Sequence, residues 1–465
     1  MANWPCGLCL AAQRVCASHA LYLIRFIGMG WLFKRCVLAN TLMRFLYSCL
    51  MRCLMPVLWL KLLWRSRHEP VYGHALGERF GFYSQAAPTG ALWIHAVSLG
   101  ETRAIRPLVQ ALRQRYPQLR LLLTHGTATG RAEGETLLGE GDIQAWLPWD
   151  TPGSVQRFLA HFRPRLGLLI DTEVWPNLVA VAQQQGLPMV LANARMSERS
   201  WRKAQRFAGL ARATFGGLQA VWAQTHDDAQ RLRSLGAPVS AVMGNLKFDA
   251  VPDEALLALG HRWRSALASR PVVLLSISRE GEEAQFVEVL QQHPEYLTQV
   301  QWWIVPRHPQ RFDEVASLMQ SRGLAFERRS QWPTDLPALT PPVNTTLVLG
   351  DSLGEMPLYY GAASVALVGG SFAPLGGQNL IEACACACPV VMGPHTFNFA
   401  QAAQWALNAQ AGMRSEDMAS AMRQALALAL DPERQQQMAQ AGQQFARSHQ
   451  GAVAHCVKAL EPFLD

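Results

Sequence analysis

A carboxylate stands where an apolar run stops in the stretch IHAVSLGE, residues 94–101. The run before it has the composition of a buried strand, and Glu101 follows Gly100 at the start of a stretch with helical periodicity. A helix start attracts negative charge, so the ionised form of Glu101 is expected. The same group can act as a general base toward a substrate hydroxyl. The residues alone leave open a capping charge and a catalytic base.

Three loops in the second half of the chain have the features of a nucleotide-phosphate site. VPRHPQRF supplies Arg307 and His308, and arginine suits bidentate contact with phosphate. In GDSLGEM, Gly354 permits close approach of the backbone to a ligand. The stretch LVGGSFAPLGGQNLIEA leads into a helix near Gln378 and is expected to present backbone N–H groups to an anion, with Glu382 placed to accept from ribose hydroxyls. The alternative is that the glycines only form tight turns; no loop matches the P-loop or the dinucleotide fingerprint.

Polar residues also follow the apolar runs of the first half, where they suit a hydroxyl-rich acceptor. They are Ser98 and the ranges 124–130, 171–177 and 193–197. Ser98 does not lie in a nucleophile elbow, and no cluster has the spacing of metal ligands, so no metal is expected. A lone carboxylate such as Glu173 is more often structural. A donor nucleotide in one half and a hydroxylated acceptor in the other indicate group transfer.

The order of apolar and amphipathic segments predicts an α/β protein. From Ala91 onward, short continuous apolar runs alternate with helical segments such as 101–115 and 199–213, which is typical of a parallel sheet covered on both faces. The pattern pauses near Gly244 and restarts at PVVLLSIS, which predicts two doubly wound domains facing a cleft. Residues 400–465 have a helical pattern and contain no predicted strand. Ligands of such sheets bind beyond the carboxyl ends of the strands.

Composition limits the class of protein and its partners. The 465 residues are 50% hydrophobic and 16% charged, which indicates a folded protein of two or three domains. The net charge of +8 favours an anionic partner, but no zinc-finger spacing or RNA-recognition signature is present, so no nucleic acid is expected. The alternating cysteines of CACAC, Cys384, Cys386 and Cys388, are predicted to be small core residues in a reducing compartment.

The N-terminal region is the most apolar part of the chain. Residues 20–33 and 43–64 are rich in aliphatic and aromatic side chains, but Arg25 interrupts the first stretch and three basic residues interrupt the second. Such a mixture suits a helix at the membrane interface or a marginal span with snorkelling ends, and a buried core helix is the alternative. A cleavable signal peptide is not indicated. Nearby Arg65 and Arg67 favour the cytoplasmic side.

Many ordered motifs resemble one family, the transferases of 3-deoxy-D-manno-octulosonic acid (Kdo) in lipopolysaccharide and lipid A biosynthesis. The similar stretches, from about residue 43 onward, are GERFG, WIHAVSLGE, LPWD, TEVWPN, NARMSERS, GNLKFD, GEE, VPRHPQRF, GDSLGEM, GGSFAPLGGQNLIE and GPHTFNF. The resemblance implies a GT-B glycosyltransferase with two Rossmann-like domains, and metal-independent, inverting transfer of Kdo from CMP-Kdo to lipid IVA without a cofactor. It also implies an anchor in the bacterial inner membrane, with the catalytic domains on the cytoplasmic face.

The resemblance assigns roles to individual positions. Glu101 takes the place of the catalytic base. The CMP-binding positions fall on Pro306, Arg307, Leu353, Gly354, Glu355, Asn379, Leu380, Ile381 and Glu382. The predicted regions are an extension (1–42), an anchor helix (43–66), an acceptor domain (67–245), a linker (246–270), a donor domain (271–430) and C-terminal helices (431–465).

The sequence departs from the family pattern at three places. Ser276–Ile277–Ser278–Arg279 replaces a Ser-Thr-His run, which puts the role of that histidine in doubt. Arg131 stands where a small hydroxyl residue is commoner, and Asp171 where Glu is usual. Two other hypotheses stay open: another nucleotide-sugar transferase or epimerase of GT-B architecture, and an inactive membrane-bound scaffold that keeps the nucleotide site.

Overall fold

A computed structural model describes residues 41–87, 89–267, 269–332, 341 and 344–465. The predicted apolar stretch 20–33 and the extension 1–42, except its last two residues, lie outside the described residues. The chain forms two compact units. The first holds the described residues up to Gly244 together with Val453–Asp465, and the second is Asn245–Ala452.

The first unit begins with a long apolar helix, α1 (Thr41–Ser66), whose most apolar 18-residue stretch has a mean hydropathy of 1.5. Two short 3-10 turns follow at Pro70–Gly73 and Leu76–Phe80. The remaining elements, in chain order, are β1 (Leu92–His95), α2 (Leu99–Arg115), β2 (Leu121–His125), α3 (Ala128–Glu135), β3 (Ile143–Trp146), α4 (Pro152–Phe162), β4 (Leu166–Ile170), α5 (Pro176–Gln184), β5 (Met189–Ala194), α6 (Glu198–Gln205), α7 (Ala208–Phe215), β6 (Ala220–Ala223), α8 (His226–Ser234) and β7 (Val239–Val242).

The strands of the first unit form one parallel sheet in the order β3-β2-β1-β4-β5-β6-β7. All residues of β1, β2 and β4 are buried, because helices cover both faces of a parallel sheet. The chain order reverses direction between β1 and β4, and such a switch point is where ligands bind in open α/β sheets. The loops that follow β1 and β4 are therefore the first place to look for a site.

Hydroxyl side chains begin most helices that follow these strands. Ser98, Thr127, Thr151, Ser197 and Thr225 each accept a hydrogen bond from a backbone N–H in the first turn of the next helix. This satisfies a donor that the helix itself leaves unpaired. Several polar residues at the strand ends thus have a local structural role.

The second unit repeats the architecture of the first. Its elements are α9 (Glu254–Ala266), β8 (Val272–Ser278), α10 (Glu282–Gln292), α11 (Tyr296–Gln299), β9 (Gln301–Pro306), α12 (Phe312–Ser321), β10 (Glu327–Arg328), β11 (Leu347–Leu349), α13 (Met356–Ala362), β12 (Val365–Val368), α14 (Leu380–Ala385), β13 (Val390–Met392), α15 (Ala400–Asn408), β14 (Gly412–Arg414), α16 (Met418–Ala429) and α17 (Pro432–Ser448). The parallel sheet has the order β10-β11-β9-β8-β12-β13-β14, with its switch point between β8 and β12.

Two details of the predicted elements were wrong. Residues 400–465 do contain a strand, since β14 pairs with β13 through Gly412, Met413 and Arg414. The predicted helix over 199–213 is two helices, α6 and α7, which meet at Arg206 and Phe207. The last helix of the chain, α18 (Ala452–Leu464), belongs mainly to the first unit.

The cysteines of CACAC are core residues, as predicted. Cys384, Cys386 and Cys388 are at most 2% exposed and lie in the main apolar cluster of the second unit. Burial raises the pKa of Cys384 to about 12, so the thiol stays neutral and behaves as a small hydrophobe.

Candidate active site

Glu101 lies in the first turn of α2, directly beyond the end of β1. Its carboxylate accepts the backbone N–H of Val97 at 2.7 Å and the hydroxyl of Ser98 at 2.9 Å. Ser98 is also the N-cap and accepts the backbone N–H of Glu101. The side chain is half-buried, so one fixed, partly exposed carboxylate stands at the switch point of the first sheet.

Burial, together with the nearby negative charges of Asp171 and Glu173, raises the pKa of Glu101 to about 7. The hydrogen bonds from Val97 and Ser98 act in the opposite direction but do not cancel this increase. The net effect is a higher pKa, so the expectation that the ionised form of Glu101 is favoured was wrong. A carboxyl that titrates near neutral pH is a stronger base than an ordinary Glu, and this matches the requirement for general base catalysis.

Asp171 owes its place to the strand order. It follows β4, which pairs with β1, and it adopts a left-handed backbone with φ of 65°. Its Oδ1 accepts from Asn193 Nδ2 at 2.8 Å and from Gln224 Nε2 at 3.0 Å. These two amides come from the ends of β5 and β6, so three neighbouring strands hold the carboxylate that raises the pKa of Glu101. Gln224 was not predicted as a site residue, although its position after an apolar run is the signal that could have found it.

The raised pKa of Glu101 predicts an acid limb in the pH dependence of catalysis. A general base must be deprotonated, so kcat/KM should fall as the pH decreases through about 7, the pKa of Glu101. The substitution Asp171→Asn removes a like charge, and we expect it to move this limb to lower pH. The carboxamide oxygen of the new residue can still accept the amide hydrogen bonds. Initial rates across a pH series measure the midpoint, and Glu280→Gln in the second unit should leave it unchanged. An identical limb in wild type and Asp171→Asn would disprove the electrostatic coupling.

Several predicted acceptor-site residues are part of the fold instead. Thr124 is fully buried and accepts from Trp93 Nε1 at 2.8 Å. Asn177 is 1% exposed, and its Nδ2 donates to the backbone carbonyl of Asp150 at 2.7 Å. Its backbone N–H donates to the Asp150 carboxylate at 3.0 Å. These two side chains are not available to a substrate, whereas the carboxylates of Glu101, Asp171 and Glu173 are half-buried and partly open to solvent.

Arg131, one of the departures from the family pattern, has a structural role. Its guanidinium lies 4.9 Å from the ring centroid of Trp146, and Arg79 lies 4.1 Å from the same ring. Glu78 Oε2 is 3.9 Å from Arg131 and accepts the backbone N–H of Trp146 at 2.7 Å. The GERFG motif and Arg131 thus hold the end of β3 through charge and stacking.

In the second unit, cationic side chains gather beyond β9. The guanidinium of Arg307 donates to Gln378 Oε1, which joins the end of β9 to the loop before α14. Burial together with the charges of Arg307, Arg279 and Arg311 lowers the pKa of His308, so this imidazole is neutral near pH 7. Positively charged side chains thus surround His308, an environment that favours anionic groups such as phosphate.

The glycine-rich loop after β12 does not present all its amides to a ligand. Glu282, at the start of α10, is 0% exposed. Its carboxylate accepts four backbone N–H groups, those of Arg279, Gly370, Phe372 and Ala373, at 2.9, 2.7, 2.9 and 3.3 Å. The prediction that these loop amides await an external anion was wrong, because the chain supplies its own anion there. The GEE motif therefore fixes the shape of the loop at the switch point.

The predicted donor loop after β11 is held by two ion pairs. Glu355 accepts from Arg329 at 2.8 Å and from Ser352 at 2.6 Å. Asp351 accepts from Arg328 at 2.6 Å. Between them the loop turns at residue 354, which has a φ of 81°, and this left-handed conformation favours glycine. Leu353 is 67% exposed, so the tip of the loop is open to solvent.

The predicted residues of α14 differ in what they can offer. Asn379 caps the helix and accepts the backbone N–H of Ile381 at 3.2 Å. Leu380 and Ile381 are at most 2% exposed, so only their backbone can reach a ligand. Glu382 is half-buried, and its charge raises the pKa of Tyr360 and Cys386. Pro306, at the end of β9, is buried.

Among the described residues, no group of three or more His, Cys, Asp or Glu side chains is arranged to hold a metal ion. The cationic side chains beyond β8 and β9 are Arg279, Arg307 and Arg311, whose charges act together on His308.

The two doubly wound parallel sheets define the chain as an α/β protein of the GT-B class of glycosyltransferases. UDP-GlcNAc 2-epimerase from Neisseria meningitidis, solved with UDP-GlcNAc bound, has the same fold. Its TM-score is 0.52 at 16% identity, over 80% of this chain and 100% of that one. A likeness at this identity concerns the fold alone.

The sequence comparisons identify the family. The family model for 3-deoxy-D-manno-octulosonic-acid transferase (kdotransferase) matches residues 74–250. A 3-deoxy-D-manno-octulosonic acid transferase from Bordetella pertussis is 47% identical over 90% of this chain and 99% of its own length. The transferase of the same name from Haemophilus influenzae is 32% identical over 91% of this chain and 99% of its own. The chain belongs to the Kdo transferase family and is a glycosyltransferase; the hypothesis of an inactive scaffold is set aside.

Proposed function

We propose that the protein transfers Kdo from CMP-Kdo to lipid IVA, with Glu101 as the general base. The observation that carries this proposal is the geometry of Glu101. It is a half-buried carboxylate, fixed by Val97 and Ser98 at the switch point of the first sheet, with its pKa raised to about 7. A hydroxyl of the acceptor would lose its proton to this carboxylate as its oxygen bonds to the anomeric carbon. The bond from that carbon to the CMP phosphate breaks in the same step, with inversion.

The second unit is suited to the donor. The phosphate of CMP-Kdo is anionic, and Arg307 with its neighbouring cations provides a positive field beyond β9. Loop 353–355 and the start of α14 are the other proposed contacts, with Glu382 toward the ribose hydroxyls. Leaving-group charge would be neutralised by arginines rather than by a metal, so the proposed transfer is metal-independent and needs no cofactor.

The acceptor explains the apolar N-terminal region. A lipid A precursor carries acyl chains and phosphates and resides at a membrane surface, so an enzyme that acts on it must work there. Helix α1 is long and apolar, and Arg65 and Arg67 follow near its end. We therefore infer a location at the bacterial inner membrane with both units on the cytoplasmic face.

A direct assay tests the proposed reaction. Purified protein is mixed with CMP-Kdo and lipid IVA in buffer containing EDTA, and mass spectrometry of the lipid shows whether Kdo is added and how many copies. We expect Kdo-lipid IVA without added divalent metal, and inhibition by CMP rather than UDP. A product that forms only when divalent metal is restored would contradict the metal-independent mechanism. Protection by UDP would favour the alternative of a different nucleotide-sugar transferase or epimerase.

A further inference from the structure

Helix α1 packs one face against the first unit, with contacts from Ser48 to Arg65. The residues of one stripe are buried or half-buried, at positions 44, 48, 51, 55, 59, 62 and 66. Their spacing of three or four residues is that of one helix face. This face of the helix is therefore the one that the folded unit covers.

Specific contacts fix the two ends of this stripe. Near the start, the hydroxyl of Ser48 donates to Asn177 Oδ1 at 2.9 Å, in a buried position. Near the end, the rings of Trp59 and Phe80 are 5.3 Å apart, and the guanidinium of Arg65 lies 4.2 Å from the ring centroid of Tyr72.

Residues from two motifs, LPWD and the end of TEVWPN, form the contact surface for Ser48. The aspartate of LPWD, Asp150, is 5% exposed and accepts the backbone N–H groups of Asn177 and Leu178 at 3.0 and 2.8 Å. The asparagine of TEVWPN is the residue that receives Ser48. Detaching α1 would leave the buried carbonyl oxygen of Asn177 without this donor, which is unfavourable.

The opposite face of α1 is open and apolar. Its large exposed side chains are Leu42, Phe45, Leu46, Leu50, Leu54, Val57, Leu60, Leu63 and Trp64. Exposed apolar surface of this extent marks an interaction site. At 3.6 residues per turn, the exposed Arg52 and Lys61 fall on opposite borders of this face. Such an arrangement suits an anionic bilayer: the apolar face contacts the acyl chains, and the cations at its borders contact the anionic head groups.

We propose that α1 lies flat in the interface of an anionic bilayer, with its docked stripe on the first unit and its open face in lipid, rather than spanning the membrane. Its 26 residues are long enough to span. A spanning helix that stayed docked would carry buried polar groups such as Asp150 and Asn177 into hydrocarbon, and one that did not would lose the contacts of the docked stripe. In either case Arg52 would lie near the bilayer centre, which is unfavourable for a charged side chain. The proposal deepens the proposed function, because it sets the first unit beside the membrane surface where a lipid acceptor resides.

The native Cys53 allows a test that involves no substrate. It is exposed on the open face near the middle of α1, and a nitroxide label there reports its depth in vesicles of phosphatidylethanolamine and phosphatidylglycerol. Cys6, Cys9, Cys16, Cys36 and Cys49 are replaced by Ser, and the buried Cys384, Cys386, Cys388 and Cys456 stay unlabelled. Collision with oxygen and with a water-soluble nickel chelate gives the depth of the label. A flat helix predicts about 5–10 Å below the head groups.

Three further label sites make the result decisive. Labels at Leu42→Cys and Trp64→Cys should have the same shallow depth as Cys53. The matched control is Met55→Cys, two residues from Cys53 on the docked stripe, which should be shielded from both lipid and chelate. A label at Cys53 about 15 Å deep, at the centre of a bilayer core of about 30 Å, with positions 42 and 64 near opposite surfaces, would overturn the proposal. Full access of the chelate to all sites would overturn it as well. Because no transfer is measured, these outcomes are independent of the proposed reaction.

Discussion

The substitution Glu101→Gln should lower kcat/KM by about 10²–10⁴-fold, the usual contribution of a general base. The change is selective, because a glutamine side chain has the shape of glutamate. Its carboxamide oxygen can accept the Val97 N–H, and its NH2 group can donate to Ser98 Oγ, so both contacts seen for the carboxylate have a counterpart. What the amide cannot do is accept a proton. Initial rates at saturating CMP-Kdo and a series of lipid IVA concentrations below KM measure the loss.

A stability measurement separates lost chemistry from lost structure. Glu101→Gln removes a charge beside Asp171, so its melting temperature should equal or exceed that of the wild type. The matched control is Glu173→Gln, which removes the other nearby carboxylate; we expect it to lower the pKa of Glu101 and to keep the rate at neutral pH within about tenfold, because Glu173 acts only through its charge. A Glu101→Gln protein with a near-wild-type rate would exclude Glu101 as the base.

The sheets could be predicted from sequence because most of their strands are continuous apolar runs. The strand β8, VVLLSIS, is almost wholly buried and shows this signal clearly. The strands that were missed lack it: β10 consists of Glu327 and Arg328, and β14 is Gly412–Arg414. Both lie at edges of the second sheet, where backbone pairing with one neighbour is enough to define a short strand.

The position of Glu101 could be predicted, but the direction of its pKa could not. The argument from the helix dipole uses only neighbours along the chain. The effects that exceed it come from burial and from Asp171 and Glu173, which are about 70 residues away in sequence and reach Glu101 only because β4 pairs with β1. The order of strands in the sheet is a property of the fold, and it cannot be read from the spacing of residues in the sequence.

The glycine-rich loop after β12 is a second case in which the sequence indicates a feature but not the distant residue that determines its role. Its glycines correctly indicate that another part of the protein packs closely against the loop backbone. Gly369 has no room for a side chain, because a Cβ there would lie 2.4 Å from the carbonyl oxygen of Ile277. The sequence does not show that the anion at this loop is Glu282, which is 88–91 residues away from the amides it binds after β12. The start of α10 meets this loop only because β12 pairs with β8.

Removing the Glu282 carboxylate should therefore strongly destabilise the second unit. In Glu282→Ala, the amides of Arg279, Gly370, Phe372 and Ala373 lose their acceptor, and each buried donor left unpaired costs about 1–3 kcal/mol. Water entering the space would recover part of this, so we expect the free energy of unfolding to decrease by about 3 kcal/mol or more. Urea unfolding followed by hydrogen exchange of the backbone amides of β8 and β9 reports on this unit.

Two comparisons show whether the carboxylate acts as the anion of the loop. Glu282→Gln keeps the size of the side chain but turns an NH2 group toward backbone donors, so it should destabilise the unit too; a harmless Gln would mean that only volume matters. The control Glu280→Ala removes an exposed partner of Arg279 and should change stability by less than about 1 kcal/mol. Hydrogen exchange locates the effect. In Glu282→Ala, the amides of Gly370, Phe372 and Ala373 should lose protection under conditions where the amides of β12 keep it. The reason is that these three amides donate to a side chain, whereas those of β12 donate to the neighbouring strands. If exchange instead accelerates uniformly across the second unit, Glu282 supports the fold as a whole, and the loop at the switch point has no separate anchor.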